Sequence, residues 1–181
     1  MDWSTGFSKA IFINGKGEKV TFSEMEQEIL DIIAERPDLE YVLSVGTDSQ
    51  VKPKADATKF VTVVHLHRVG QGAWGWRYVQ VEKRRYSQLK EKIMTECHLT
   101  QMLAYQFFES DITEKVLELT IDHIYSGAKF LLVPHVDIGR NGETKKFIKE
   151  VYNMFRAMGV DVKIKPDSYA ASGYADKYSK W

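Results

Sequence analysis

The spacing of apolar residues changes period several times along the chain, and each change marks an element. Over residues 22–36, Met25, Ile29, Ile32 and Ile33 recur three and four apart, which predicts an amphipathic helix. Ser23 and Glu26 have the spacing of a capping box, and Pro37 stops the run. The opposite face is acidic, so residues 1–40 read as a helical N-terminal extension packed on the core. From residue 41 the period falls to two. Residues 41–48, 60–69 and 76–81 are rich in Val, Thr, Leu and Tyr, and Gly70, Gln71 and Gly72 make a turn between the last two. Close spacing and turn-type connections predict an antiparallel three-strand meander, with His65 and His67 on one face.

The helical period returns over residues 87–108. Leu89, Ile93, Glu96, Thr100, Leu103 and Phe107 fall on one face, which places Glu96 inside a core-facing stripe. A carboxylate there is unfavourable unless it is paired or holds a metal. Residues 112–128 carry both periods: Leu117, Leu119 and Ile121 alternate like a strand, while Asp111 and Glu114 resemble a helix start, and helix is the preferred reading. Residues 130–138 predict a buried strand, 143–158 a helix stopped by Gly159, 160–164 a last strand broken by Pro166, and 168–180 a final helix. A meander followed by alternating helices and strands implies an α/β protein: a mixed sheet of the meander plus two further strands, with helices on both faces.

Composition narrows the class. With 181 residues, no repeat and no linker, the chain reads as one domain over 1–181. Apolar residues at 44 % and charged residues at 28 % are globular values. No apolar run is long enough to span a bilayer, so no membrane role is expected. The first residues lack a secretory signal, and a cytoplasmic location is the expectation. Cys97 is the only cysteine, which rules out an internal disulfide and a four-cysteine zinc site. Net charge is zero, yet it is distributed as −6, +7, −5 and +4 over residues 1–50, 51–92, 93–139 and 140–181. That pattern reads either as surface scatter or as a basic face for an anionic partner.

The chemistry is concentrated in carboxylates. Asp48 closes the first meander strand and Asp137 lies near the end of the fourth; side chains at such ends gather where α/β sheets bind ligands. Asp176 follows Ala170, Ala171, Ser172, Gly173 and Ala175, small residues that let a helix approach the sheet. With Glu96, four acids from four elements are placed where they could converge, and such a set would favour Mg²⁺ or Mn²⁺. Taken singly, Asp48 and Asp137 read as turn or cap residues, Asp176 as a solvated helix residue, and Glu96 as a rim residue.

The order Asp, Glu, Asp, Asp on this frame resembles the ribonuclease H-like fold, and the chain is similar to the YkuK-type family of bacterial ribonuclease H-like domains. The similarity is carried by Val45-Gly46-Thr47-Asp48-Ser49-Gln50, Lys92-Ile93-Met94-Thr95-Glu96, His135-Val136-Asp137-Ile138-Gly139, and the stretch from Lys163 through Asp176 to Lys180. The resemblance implies that Asp48, Glu96, Asp137 and Asp176 are metal-binding and catalytic. It implies two Mg²⁺ or Mn²⁺ ions clamping a phosphodiester, hence a nuclease acting on RNA, an RNA/DNA hybrid or structured DNA. The alternative is a catalytically inactive module of the same fold that binds nucleic acid or a protein partner, which neutral charge and the absence of an obvious basic protrusion favour.

Several other residues invite roles. His135 reads as a partner orienting Asp137 or as a general acid/base helper to it, and Lys165 and Lys177 as phosphate contacts or solvated lysines. Lys83, Arg84 and Arg85 with Tyr86 form a basic knot suited to a nucleic-acid backbone. Trp74 and Trp76 read as base-stacking residues or as an apolar strand patch. Cys97 reads as a core residue.

Overall fold

The computed structural model describes residues 6–180, apart from the side chains of Ala171, Ser172 and Asp176. Two short strands, β1 (Phe12–Ile13) and β2 (Lys19–Val20), form an antiparallel hairpin ahead of helix α1 (Phe22–Glu35). The capping box is Thr21 with Glu24, not Ser23 with Glu26: Thr21 Oγ1 accepts from the Glu24 N–H, and the Glu24 carboxylate accepts from the Thr21 N–H. Phe22 and Met25 are both buried in the first turn, so the helix must already have begun when they enter the core. Glu26 turns instead toward Ser110.

The meander forms as the alternation predicts, with longer strands: β3 (Glu40–Lys52), β4 (Ala57–Arg68) and β5 (Gly72–Glu82). β3 pairs with β4 from Tyr41↔Arg68 to Lys52↔Ala57, so ladder hydrogen bonds carry the strand past its apolar half. β1 joins the outer edge of β5 through Ile13↔Arg77, and β6 (Lys129–His135) lies parallel to β3. The result is a mixed six-stranded sheet in the order β2-β1-β5-β4-β3-β6.

Helix α2 (Leu89–Glu109) follows the predicted stripe, with Ile93, Glu96, Thr100, Leu103 and Phe107 all buried. Residues 112–128 are mainly helical: α3 (Ile112–Thr120) continues into a 3₁₀ segment, Ile121–Ser126. A 3₁₀ turn, Glu143–Phe147, leads into α4 (Ile148–Arg156), and a π-helical turn, Ala170–Ala175, into α5 (Asp176–Ser179). The apolar run at 160–164 amounts to one rung, the parallel bridge His135↔Lys163. Lys163 N–H bonds to Pro134 O, and Val136 N–H to Lys163 O, each at 2.9 Å, before the chain turns at Pro166.

Strand alternation divides the core in two. Tyr41, Leu43 and Val45 of β3, with Phe60, Val64, Leu66 and Trp76, face α1, α2 and α3. Val61 and Val63 face the opposite way, against Ala170 and Ala175 of the C-terminal segment. That segment approaches very closely, since a Cβ placed at Gly75 would overlap the Tyr174 ring. A third cluster, including Ile93, Cys97, Ile138, Val151 and Phe155, ties the start of α2 to α4 and to the chain beyond β6.

Candidate functional site

The parallel register of β3 and β6 builds the site. Pairing ends at Gly46↔His135, and Asp48 and Asp137 each come two residues later, at the carboxyl ends of neighbouring parallel strands. Asp48 does not close β3, which runs four residues further with β4 alone as its neighbour. The carboxylate thus stands where the sheet narrows by one strand.

Alternation then sends adjacent residues to opposite faces. Ser49 is paired with Phe60 and points to the α2 side, where its Oγ donates to Glu96 Oε1 at 2.6 Å. Asp48 is paired with Val61 and points to the side of the C-terminal segment, where the Ser179 hydroxyl bonds to it. Glu96 and Asp48 therefore approach the end of the sheet from its two sides.

Glu96 is 4 % exposed, and burial pushes its carboxyl up to about 7; the Lys92 ammonium and the Ser49 hydroxyl work against burial, while the charges of Asp48 and Asp137 add to it. Burial likewise raises the Asp48 carboxyl. Ser179 and Lys92 oppose that rise, and Asp137 reinforces it. The three acids thus lie within one another's electric field. Two lysines supply counter-charge: Lys92 Nζ is 3.6 Å from Glu96 Oε1 and 3.3 Å from the Ser49 carbonyl, and Lys165 Nζ is 3.0 Å from Asp137 Oδ1. That Asp137 oxygen is buried and makes no well-aligned hydrogen bond among the described residues. A polar cavity of about 490 Å³ opens between Asp48, Lys92, Tyr86, Ser87 and Ser179.

These donors suit a hard divalent cation. They are carboxylate oxygens, and one buried oxygen, Asp137 Oδ1, has a lone pair to spare. As they stand, no three His, Cys, Asp or Glu side chains among the described residues come close enough together to hold an ion. The fourth expected acid, Asp176, is the first residue of α5, and its side chain lies outside the described residues.

The remaining candidates fall elsewhere. His135 is fully buried; its Nδ1 accepts the Ala170 N–H at 3.1 Å, its ring meets Tyr169 at 4.5 Å, and burial holds it at about 3, so it is neutral near pH 7. It anchors the C-terminal segment to β6. His65 and His67 meet the same Tyr169 ring. Lys177 is exposed, its ammonium 5.5 Å from the Tyr178 ring. Trp76 is 2 % exposed and donates to Glu28, and Trp74 stacks under the Arg68 guanidinium, so base stacking by Trp76 is overturned by its burial. Arg84 pairs with Glu91 and covers Tyr86. Cys97 is buried, with its thiol raised by that burial. Sequence reasoning did not single out Ser49, Lys92 or Ser179. The signal for Lys92 was available, since it sits one helical turn before Glu96.

A three-strand meander extended by a parallel strand, with acids at the joined strand ends and on the facing helix, defines a ribonuclease H-like domain. The ribonuclease H-like family model matches residues 24–180. The chain is 38 % identical over 173 residues to the uncharacterized protein YkuK of Bacillus subtilis (strain 168), covering 94 % of this chain and 97 % of that protein. This chain belongs to the YkuK-type ribonuclease H-like family. No solved structure matches it significantly. No helix among the described residues is long and apolar enough to cross a membrane.

Proposed function

We propose that this protein is a divalent-metal-dependent nuclease that hydrolyses phosphodiester bonds in RNA, an RNA/DNA hybrid or structured DNA. The observation that carries this reading is the convergence of Asp48, Glu96 and Asp137 from three elements, with burial raising two of the three carboxyls. Domains of this class commonly use divalent metals and act on nucleic acids. Asp48, Glu96, Asp137 and Asp176 would hold Mg²⁺ or Mn²⁺, two ions in the full arrangement. The ions would supply an activated water and charge neutralisation at the scissile phosphate. The chain's own groups set the rest: Ser49 fixes the Glu96 carboxyl, Ser179 fixes Asp48, and Lys92 lines the open cavity where a phosphate oxygen enters.

A second reading has its own observation. Lys92 and Lys165 already stand as counter-charges beside Glu96 and Asp137, as a metal-free module that only binds nucleic acid or a protein partner would require. Mn²⁺ titration separates the two. Binding to the native state alone raises stability by about 2.7 kcal/mol at a hundredfold excess over Kd. The nuclease reading expects heat release and thermal stabilisation of the wild type, both lost in Asp48→Asn, followed by Mn²⁺-dependent cleavage of a nucleic acid. Wild-type protein that ignores millimolar Mn²⁺ excludes it.

A further inference from the structure

A second cavity, of about 380 Å³, lies beside the carboxylates and shares only Lys165 with them. Its wall joins the loop after Asp137, helix α4 and the chain that follows α4. Arg140, Lys163 and Lys165 bring three cations to it, Tyr152 an aromatic ring, and Asp167 a single carboxylate. Neither Arg140 nor Lys163 pairs with a carboxylate among the described residues, and both are exposed. Lys165 belongs to both sites: it lines this cavity while its ammonium touches Asp137.

Two cations with no carboxylate partner among the described residues, beside a concavity with an aromatic face, make a site for a phosphate attached to a flat ring. The volume lies within the roughly 300–1,000 Å³ of small-molecule sites. The contact between Lys165 and Asp137 fixes where such a group belongs relative to the acids. We infer that this cavity is a subsite for single-stranded nucleic acid, holding the phosphate next to the one at the carboxylates on Arg140 and Lys163, with a base against Tyr152. The inference rests on the nucleic-acid reading above but needs neither metal nor cleavage.

The test is binding of a short fluorescein-labelled single-stranded oligouridylate in EDTA, followed by anisotropy over a series of salt concentrations. Arg140→Ala with Lys163→Ala removes only exposed side-chain charge, and the Lys163 backbone bonds to Pro134 and Val136 remain. The double variant is expected to keep its melting temperature, to lose about tenfold or more in affinity, and to show a log–log salt slope shallower by about 1.4, at roughly 0.7 per contact. Tyr152→Leu is expected to weaken binding with the salt slope unchanged, and Tyr152→Phe to restore it. Uridine monophosphate is the second probe: competition by it at equal potency assigns the cavity to free nucleotides and overturns the strand subsite. Wild-type affinity and slope in the double variant overturn it also, even where Mn²⁺-dependent cleavage is present. Loss of oligonucleotide binding in a protein that never cleaves supports the subsite and defeats the nuclease reading alone.

Discussion

Glu96 should make the protein less stable as pH rises, and the size of the effect follows from its surroundings. Its carboxyl titrates at about 7 in the fold against 4.5 ordinarily. Between those values the native state holds a proton that the unfolded chain has released. Stability therefore falls through this window and levels off above about pH 7. At about 1.4 kcal/mol per pH unit the full loss is about 3 kcal/mol. The buried histidines act in the opposite sense. His65 is lowered to about 4 and His135 to about 3, so the unfolded chain binds their protons first and stability rises with pH up to about 6.5. The wild-type profile alone mixes these effects, and the difference from Glu96→Gln isolates Glu96. The amide keeps the side chain's shape and an acceptor for Ser49, and it removes only the charge. Urea denaturation in EDTA from pH 4.5 to 8 should show the Gln variant gaining about 3 kcal/mol on the wild type, or some 6–12 °C in Tm for a chain of this size. Parallel curves across that range would refute the argument that burial dominates at Glu96.

Two further perturbations probe the supports of the site. Gly75→Ala places a methyl group where the Tyr174 ring lies, so it should cost about 1–3 kcal/mol through overpacking and loosen the C-terminal segment, read as a lower Tm and earlier proteolysis near the C-terminus. Lys92→Met removes the ammonium beside Glu96. In the nuclease reading it should tighten Mn²⁺ binding measured by calorimetry, because the cation no longer competes with a lysine, and unchanged or weaker affinity would count against that competition.

What the sequence made legible was whatever a single period carries. The 3.6-residue stripe of α2 put Glu96 in the core, and it is buried. The period of two located the meander, but not its ends. β3 continues through Thr47, Asp48, Ser49 and Gln50, where backbone pairing with β4 takes over from apolar alternation. The hairpin of β1 and β2 leaves no signal in the sequence because two-residue strands have no period, and Phe12 is held by burial in the core rather than by pattern. The run at 160–164 alternates as a strand does, yet forms one rung before Pro166 turns it away. Trp76 lies in an alternating strand beside a turn, and only the position of α1, with Glu28 waiting for its N–H, decides that it faces inward.

The site itself was legible as a list of acids and illegible as an arrangement. Residue types and strand ends bring Asp48, Glu96 and Asp137 to one end of the sheet, but which side each reaches depends on the pairing of β3 with β4. Because Asp48 and Ser49 are adjacent in a strand, they cannot face the same helix. One therefore meets Ser179 from the C-terminal segment, while the other meets Glu96 from α2. The acids are thus approached from two sides by elements that pack independently on the sheet. This gives the C-terminal segment a direct hold on Asp48, through Ser179 and through the close seat of Tyr174 on Gly75. A change that lifts that segment removes the hydroxyl that fixes Asp48 without touching Ser49, Lys92 or Glu96. Loss of metal response in Gly75→Ala with the Glu96 pH profile intact would be the signature of that division.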